Sequence, residues 1–159
     1  MPAPHLFVTA RSDHALGLFV KDAVARDEEL LPLHRASHLT LDLRLLPMDR
    51  GVFLRSPSDL HSLIHHACVP AAYIDWNQLC VRALRSLKER DEITLNYTTI
   101  YDVIATPFVC HCGAEGCYGE VTGFYYLRLE EKLKLDLYLS PYLKSRMNRD
   151  AMAAKAQAS

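Results

Sequence analysis

The segment Phe108-Val109-Cys110-His111-Cys112-Gly113-Ala114-Glu115-Gly116-Cys117 contains three of the five cysteines of the chain, in a C-x-C-x4-C pattern. The two glycines between them are typical of a tight turn rather than a core strand or helix. A fourth cysteine, Cys68, lies upstream in His65-His66-Ala67-Cys68-Val69-Pro70. Four thiolates can hold a structural zinc ion with bonds of about 2.3 Å. The alternatives are four unrelated reduced cysteines, or a redox pair made by Cys110 and Cys112.

The composition predicts one ordinary folded domain. The chain has 159 residues, of which 50% are hydrophobic, and a formal net charge of −1. These values argue against disorder and against direct binding to nucleic acid through bulk charge. No apolar run reaches the roughly 18 residues of a membrane span, and the N-terminus lacks the features of a signal peptide. We therefore expect no membrane association and a cytoplasmic or nuclear location, where clustered cysteines indicate metal binding before disulfides.

Short strands dominate the predicted secondary structure, so we expect a mainly β fold with some α. The clearest alternation is that of Leu39, Leu41, Leu43 and Leu45 with polar residues, which predicts a strand with one buried face. Turn residues between 47 and 59 leave no room for a long helix. Cys80, between Leu79 and Val81, is expected to be a small buried residue. Further strands are predicted at 15–20, 24–31, 72–76, 79–84 and 92–97.

The C-terminal part of the sequence predicts helices. An acidic, then basic, leucine-rich stretch begins at Glu130 and reaches about Met147, and we expect Pro141 to divide it into two short helices. The leucines between 133 and 139 also alternate as in a strand. Because no linker or repeat separates a second domain, we assign 124–150 to a helical extension packed on the same domain and 151–159 to a flexible tail.

At this point the sequence resembles a known family. His66 and Cys68, with Pro70 after them, are followed by Asp91-Glu92-Ile93-Thr94-Leu95-Asn96-Tyr97 and then by the cysteine-rich segment. This order is similar to the SET domain with its post-SET segment, in which Asn-His-Ser-Cys-x-Pro-Asn precedes Gly-Glu-Glu-Leu-x-x-x-Tyr and Cys-x-Cys-x4-Cys. Upstream, Gly17-Leu18-Phe19-Val20 resembles the Gly-x-Gly-x-Phe-Ala motif of that family. The resemblance covers about residues 7 to 123.

The resemblance implies a SET fold, that is, β-clip-like short curved sheets with a C-terminal pseudoknot. The domain would span 1–123, with the post-SET segment at about 106–123. In the pseudoknot, the segment that carries Tyr97 passes through a loop and lies beside the segment that carries His66. The post-SET zinc ion would then be bound by Cys68, Cys110, Cys112 and Cys117.

The activity that the resemblance implies is methyl transfer from S-adenosylmethionine to a lysine side chain of a protein. Tyr97 is the implied catalytic residue, and the cofactor and lysine would approach it from opposite faces. Tyr101, Phe108 and Tyr118 could line the lysine channel, and the alternative for each is a half-buried aromatic residue at the surface. The implied cofactor-binding residues are Gly17, Leu18, Phe19, His65, His66 and Tyr118.

The sequence also differs from the family motif at several positions. His65 and Ala71 stand where the family has asparagine, Ala67 stands in place of serine, and Ala15 and Asp91 replace glycines. These differences leave two other functions open. The fold could serve as a non-catalytic binding module, or as an enzyme that acts on a small-molecule metabolite.

The two histidines have alternative roles that follow from these possibilities. His66 could contact the cofactor, or its ring could satisfy neighbouring backbone in a buried turn. His65 could serve as an acid or base facing Tyr97, which would suit a metabolite enzyme. The expected partner is thus a protein with a target lysine or a small-molecule substrate, and the leucine-rich C-terminal stretch leaves a homodimer open.

Overall fold

The computed structural model describes residues 5–36 and 45–157, and these residues form five small sheets. The first sheet is an antiparallel hairpin of β1 (Leu6–Ala10) and β2 (Leu16–Val20). A tight turn joins them, in which the N–H of Arg11 donates to the carbonyl of Ala15 at 2.8 Å. The glycine and β-branched or aromatic residues of 15–20 thus form the strand that their composition predicts.

Two three-stranded antiparallel sheets form the centre of the domain. Their strands are β3 (Glu29–Pro32), β4 (His34–Arg35), β5 (Leu46–Asp49), β6 (Val52–Arg55), β8 (Ala72–Asp75) and β9 (Cys80–Ala83). The strand orders are β3-β9-β8 and β4-β6-β5, so that neighbouring strands are not always consecutive in the chain.

The last two sheets are pairs of two-residue strands. Strand β7 (His65–His66) pairs in parallel with β10 (Thr94–Leu95), and β11 (Phe108–Val109) pairs antiparallel with β12 (Glu120–Val121). The parallel pair brings the histidine segment beside the segment that leads to Tyr97, as the resemblance implied. The five small sheets confirm the mainly β fold class.

The hydrophobic core lies between the central sheets and the hairpin. Cys80 is 1% exposed, in agreement with its expected structural role. A second, smaller cluster surrounds Cys68, Cys110 and Val121, and a third connects Phe124 with the C-terminal helix. Large, almost completely buried side chains of the main core include Leu18, Val20, Leu31, Leu54, Val81 and Ile93.

Two helices follow the cysteine-rich segment, α1 (Leu129–Lys134) and α2 (Pro141–Gln157). Pro141 begins α2 rather than interrupting a helix, because a proline at the first helical position loses no hydrogen bond. The predicted flexible tail begins at Ala151, whereas α2 continues through this part of the chain and ends at Gln157. The stretch is rich in alanine, which has the highest intrinsic helix propensity.

Several predicted strands differ from the observed ones in extent. The predicted strand at 24–31 begins only at Glu29, while Val24 makes a single bridge with Leu87. The strand predicted at 92–97 is reduced to Thr94–Leu95, since a short 3-10 helix begins at Tyr97. The strand predicted at Leu39, Leu41 and Leu43 falls outside the described residues. Within the described ranges, we find no helix that is both long and apolar enough to span a membrane.

Candidate active site and metal centre

The parallel pairing of β7 and β10 brings together His66 and Tyr97. The backbone N–H of Tyr97 donates to Nδ1 of His66 at 3.1 Å, and the two rings meet edge to face with centroids 5.4 Å apart. Because a backbone amide can only donate, Nδ1 is the acceptor and the neutral ring carries its proton on Nε2. This contact agrees with the structural alternative for His66, in which its ring satisfies nearby backbone.

The other ring nitrogen of His66 faces the cysteines. Nε2 lies 3.3 Å from Sγ of Cys68, so the N–H can donate to that sulfur. Burial lowers the pKa of His66 to about 4, which keeps the ring neutral and preserves this donor and acceptor arrangement. One imidazole therefore connects the cysteine cluster with the backbone of Tyr97.

The hydroxyl of Tyr97 donates a hydrogen bond to the carbonyl of Ile64 at 2.7 Å. Burial raises the pKa of Tyr97 above its ordinary value of 10.0, so its phenol stays protonated at neutral pH. The ring of Tyr101 packs edge to face on Tyr97 with centroids 5.8 Å apart, and burial also raises the pKa of Tyr101. The two tyrosines thus form a fixed, uncharged aromatic corner.

Two cavities meet at Tyr97 and Phe108, which line both of them. The first has a volume of about 460 Å³ and is mostly apolar, and the second has a volume of about 360 Å³ and is more polar. The first cavity is lined by Leu46, His61, Ser62, Ile64, Leu95, Tyr97, Ile100, Tyr101, Val103, Ile104, Ala105, Thr106 and Phe108. The second is lined by Arg11, Asp13, His65, His66, Tyr97, Phe108, Val109, Cys110, His111 and Cys112.

The structure brings only some of the expected cofactor-binding residues to the second cavity. Of the six, His65 and His66 line it within the described part of the chain. The side chain of Leu18 is 0% exposed in the core, so any cofactor contact would involve its backbone. Tyr118 lines neither cavity, although its ring centroid is 6.4 Å from that of His66, and its backbone nitrogen lies 3.4 Å from Sγ of Cys68. Of the expected channel residues, Tyr101 and Phe108 line the first cavity.

Gly17 lies against the side chain of Arg11, which lines the second cavity, and Phe19 stacks on Phe7. A Cβ atom added to Gly17 would lie 3.0 Å from Cγ of Arg11 and 3.0 Å from Cε2 of Phe19. The aliphatic part of Arg11 therefore covers the position where the family motif has its second glycine. Gly17 allows this close approach, because any larger residue would displace Arg11.

Arg11 and Asp13 are cavity residues that the sequence did not single out. The guanidinium of Arg11 makes an ion pair with Glu92 and a second one with Asp13, in which Nε lies 3.3 Å from Oδ1. This Nε is buried, and within the described residues its contact with Asp13 lacks the geometry of a hydrogen bond. The only signal in the sequence was the polar turn 11–14 immediately before β2, which gives no indication of the cavity behind it.

Two positions that differ from the family motif, His65 and Ala71, lie in different surroundings. Nε2 of His65 donates to the carbonyl of Leu16 at 2.7 Å, which fixes its ring at the edge of the hairpin. Ala71 is 3% exposed, and its N–H donates to Oγ1 of Thr94 at 2.9 Å. Of these two substitutions, only His65 changes the lining of the second cavity.

The four cysteines of the predicted metal site lie close together. Their sulfur atoms are all within 4.8 Å of one another, and Sγ of Cys68 is 3.7 Å from those of Cys110 and Cys117. A tetrahedral site with zinc–sulfur bonds of about 2.3 Å has sulfur–sulfur edges of about 3.8 Å. Burial raises the pKa of the Cys68 thiol in the absence of a metal charge. The cluster is therefore compatible with a zinc site.

Comparison with known proteins supports the fold that the sequence resemblance implied. No protein-family model and no curated protein sequence matches the chain. Among solved structures, KRYPTONITE in complex with mCHG DNA and SAH aligns at 16% identity with a TM-score of 0.51, covering 72% of this chain and 28% of that one. KRYPTONITE in complex with mCHH DNA, the H3(1–15) peptide and SAH aligns at 16% identity with a TM-score of 0.50, covering 72% of this chain and 29% of that one. The chain has the SET fold.

A further similar structure is a Plasmodium falciparum protein proposed to be a histone methyltransferase. It is 18% identical, with a TM-score of 0.48, and the match covers 60% of this chain and 94% of that protein. By contrast, the SET-fold chain described here spans less than a third of the length of the KRYPTONITE chains.

Proposed function

We propose that this SET-fold protein is a methyltransferase that uses S-adenosylmethionine and modifies a lysine side chain of a protein. The observation that carries the proposal is the pair of cavities that meet at Tyr97 and Phe108. The first is mostly apolar and is called the apolar cavity below; the second has charged side chains in its lining and is called the polar cavity. A transfer between two ligands requires two sites that share the reacting centre, and alignment of this kind can contribute about 7 to 11 kcal/mol to the barrier reduction.

The polar cavity fits the cofactor by its chemistry and its size. Its volume of about 360 Å³ lies in the range of roughly 300 to 1,000 Å³ that small-molecule sites occupy. Asp13 could bind hydroxyl or amino groups, and the guanidinium of Arg11 places a positive charge beside it. The edges of His66 and Phe108, whose rings are 5.7 Å apart, offer apolar contacts.

The apolar cavity suits the stem of a lysine. No Asp, Glu, Lys or Arg side chain lines it in the described part of the chain. Such surroundings lower the pKa of an amine that enters, so the lysine gives its proton to solvent and becomes the nucleophile. S-adenosylmethionine would supply a methyl group bonded to a cationic sulfur. As the lysine nitrogen bonds to the methyl carbon, the carbon–sulfur bond breaks and the sulfur keeps its electron pair.

Tyr97 is the residue that we assign to the reacting centre. Its hydroxyl hydrogen is engaged by the carbonyl of Ile64, so its oxygen is oriented and can accept a hydrogen bond from the incoming amine. Its phenol is uncharged at neutral pH, because burial raises its pKa. It therefore orients the nitrogen without adding a charge to the channel.

The four cysteines fit zinc, and the ion would have a structural role. Cys110 and Cys112 belong both to this cluster and to the wall of the polar cavity. A zinc ion bound by Cys68, Cys110, Cys112 and Cys117 would therefore hold that wall against the His66 segment. Closed sites with four thiolates are typical of structural zinc.

A second candidate is a non-catalytic binding module with the same fold. It is favoured by one observation: the stem of Arg11 covers Gly17, and its guanidinium is already paired with Glu92. If Arg11 holds this position permanently, the cofactor cannot approach the β2 backbone. Binding of S-adenosylhomocysteine distinguishes the two candidates, because only the methyltransferase requires it.

The test is transfer of a deuterated methyl group from labelled S-adenosylmethionine to a pool of lysine-containing peptides, read by mass spectrometry. We expect labelled lysine with the wild-type protein and a loss of about a hundredfold or more in rate with Tyr97→Phe. The matched control is Tyr126→Phe, at a tyrosine that is 59% exposed. Unlabelled peptides, or equal rates for wild type and Tyr97→Phe, would contradict the proposal.

A further inference from the structure

One wall of the apolar cavity is an irregular segment. Residues Tyr101, Val103, Ile104, Ala105 and Thr106 line the cavity, and the segment 101–107 contains neither helix nor strand. Such a segment has no hydrogen-bond ladder of its own, so its shape depends on contacts with neighbouring elements. The residues that make those contacts therefore determine the shape of the apolar cavity.

Three backbone hydrogen bonds connect this wall to the segment after β12. The N–H of Phe124 donates to the carbonyl of Tyr101 at 3.0 Å, and that of Tyr125 donates to the carbonyl of Asp102 at 2.9 Å. The N–H of Ile104 donates to the carbonyl of Thr122 at 2.9 Å. These bonds fix the backbone on one side of the wall.

A side-chain contact fixes the same wall from α2. The carboxylate of Asp102 is paired with the guanidinium of Arg146, and the two side chains are only 15% and 28% exposed. Cζ of Arg146 also lies 5.0 Å from the ring centroid of Tyr125. Asp102 stands between two residues that line the cavity, Tyr101 and Val103. A displacement of Asp102 therefore moves both.

Helix α2 is itself held against the site. The N–H of Ser140 donates to the carbonyl of Thr99 at 2.9 Å, in the 3-10 helix that begins with Tyr97. Leu143, which is 0% exposed, packs in one cluster with Phe124. Helix α2 is thus held by contacts with Thr99 before the wall and with Phe124 after it, and these contacts fix the position from which Arg146 reaches Asp102.

We propose that Arg146 is a positioning residue for the substrate. Through Asp102, it holds the wall at Tyr101 and Val103 in the shape that admits a lysine side chain to Tyr97. The proposal rests on the proposed function, because it assigns the apolar cavity to the lysine. It predicts that loss of the Arg146–Asp102 contact weakens substrate binding and leaves the cofactor cavity unchanged.

The experiment compares Arg146→Met with the double variant Asp102→Asn/Arg146→Met. The single variant leaves a carboxylate poorly exposed and unpaired, which destabilises the fold. The double variant removes both charges, so we expect its thermal stability to return toward that of the wild type. The matched control is Arg149→Met, since Arg149 lies on the exposed side of α2 and bonds to Oγ of Ser145.

The decisive measurement is the KM for a lysine peptide that the wild-type protein methylates. We expect both Arg146 variants to raise this KM about tenfold with kcat and the KM for S-adenosylmethionine within about twofold of wild type. A double variant with normal stability and a normal peptide KM would overturn the positioning role, as would an equal effect of Arg149→Met. A wild-type protein that methylates no peptide would instead overturn the proposed function, and this proposal with it.

Discussion

Gly123 offers a quantitative test of how the segment after β12 packs against the channel wall. Its backbone has φ +114° and ψ 172°, a region that is almost restricted to glycine and costs other residues about 1 to 3 kcal/mol. A Cβ atom added there would lie 2.5 Å from the carbonyl oxygen of Asp102 and 2.9 Å from Cα of Val103. Because these are backbone atoms, relief requires movement of the wall, at a further cost of about 1 to 3 kcal/mol.

The perturbation is Gly123→Ala, and the matched control is Gly51→Ala. Gly51 also has a positive φ, +69°, but an added Cβ atom would meet nothing within 4 Å. We therefore expect Gly51→Ala to lose about 1 to 2 kcal/mol of unfolding free energy from backbone strain alone. For Gly123→Ala the two contributions add to about 4 kcal/mol, a large part of the roughly 5 to 15 kcal/mol that stabilises a domain.

Thermal unfolding followed by circular dichroism, at one fixed zinc concentration, measures the difference. For a chain of this size, about 4 kcal/mol corresponds to a Tm lower by about 8 to 16 °C, against about 2 to 8 °C for the control. Constant zinc is necessary because a ligand that binds only the folded state raises the Tm. Equal Tm losses in the two variants would refute the close contact between Gly123 and the wall.

Two further predictions concern the metal and the tyrosines. We expect about one zinc ion per chain by elemental analysis, lost in Cys68→Ser but kept in Cys80→Ala, because only Cys68 belongs to the sulfur cluster; a metal content near zero in unchelated wild type would contradict this. Burial raises the pKa of both Tyr97 and Tyr101 above 10.0, so the stability that depends on their neutral forms is present below about pH 10 and is lost as pH rises further. In an absorbance titration of the folded protein, Tyr97→Phe should therefore leave the tyrosinate signal that develops up to about pH 10 unchanged, and a smaller signal would show that Tyr97 ionises normally.

Local patterns were sufficient for much of the fold and for the metal cluster. The β-rich composition of 15–20, 72–76 and 79–84 predicted strands that are present, since these segments pack one or both faces into the core. The spacing of Cys110, Cys112 and Cys117 predicted their convergence. Cys68 was proposed as the fourth thiolate because a zinc site needs four ligands, and the resemblance to the SET domain supported this pairing across a long stretch of the chain.

The parts that could not be predicted depend on tertiary contacts. Arg11 and Asp13 line the polar cavity because the β1–β2 hairpin folds back over it, and a polar turn looks the same wherever it lies. Asp102 and Arg146 are paired only because α2 returns to the site. The length of α2 was underestimated because its small residues were interpreted as a tail, although alanine favours helix.

The central claim is that the polar cavity binds the methyl donor, and titration calorimetry with S-adenosylhomocysteine tests it most directly. We predict a saturable heat with one site per chain and a Kd below about 100 µM, that is, at least about 5.5 kcal/mol of binding free energy. Asp13→Asn should weaken this binding, whereas Asp22→Asn, at an exposed aspartate near His5, should not. No heat at high micromolar ligand in zinc-loaded protein would contradict the methyltransferase assignment and favour the non-catalytic module.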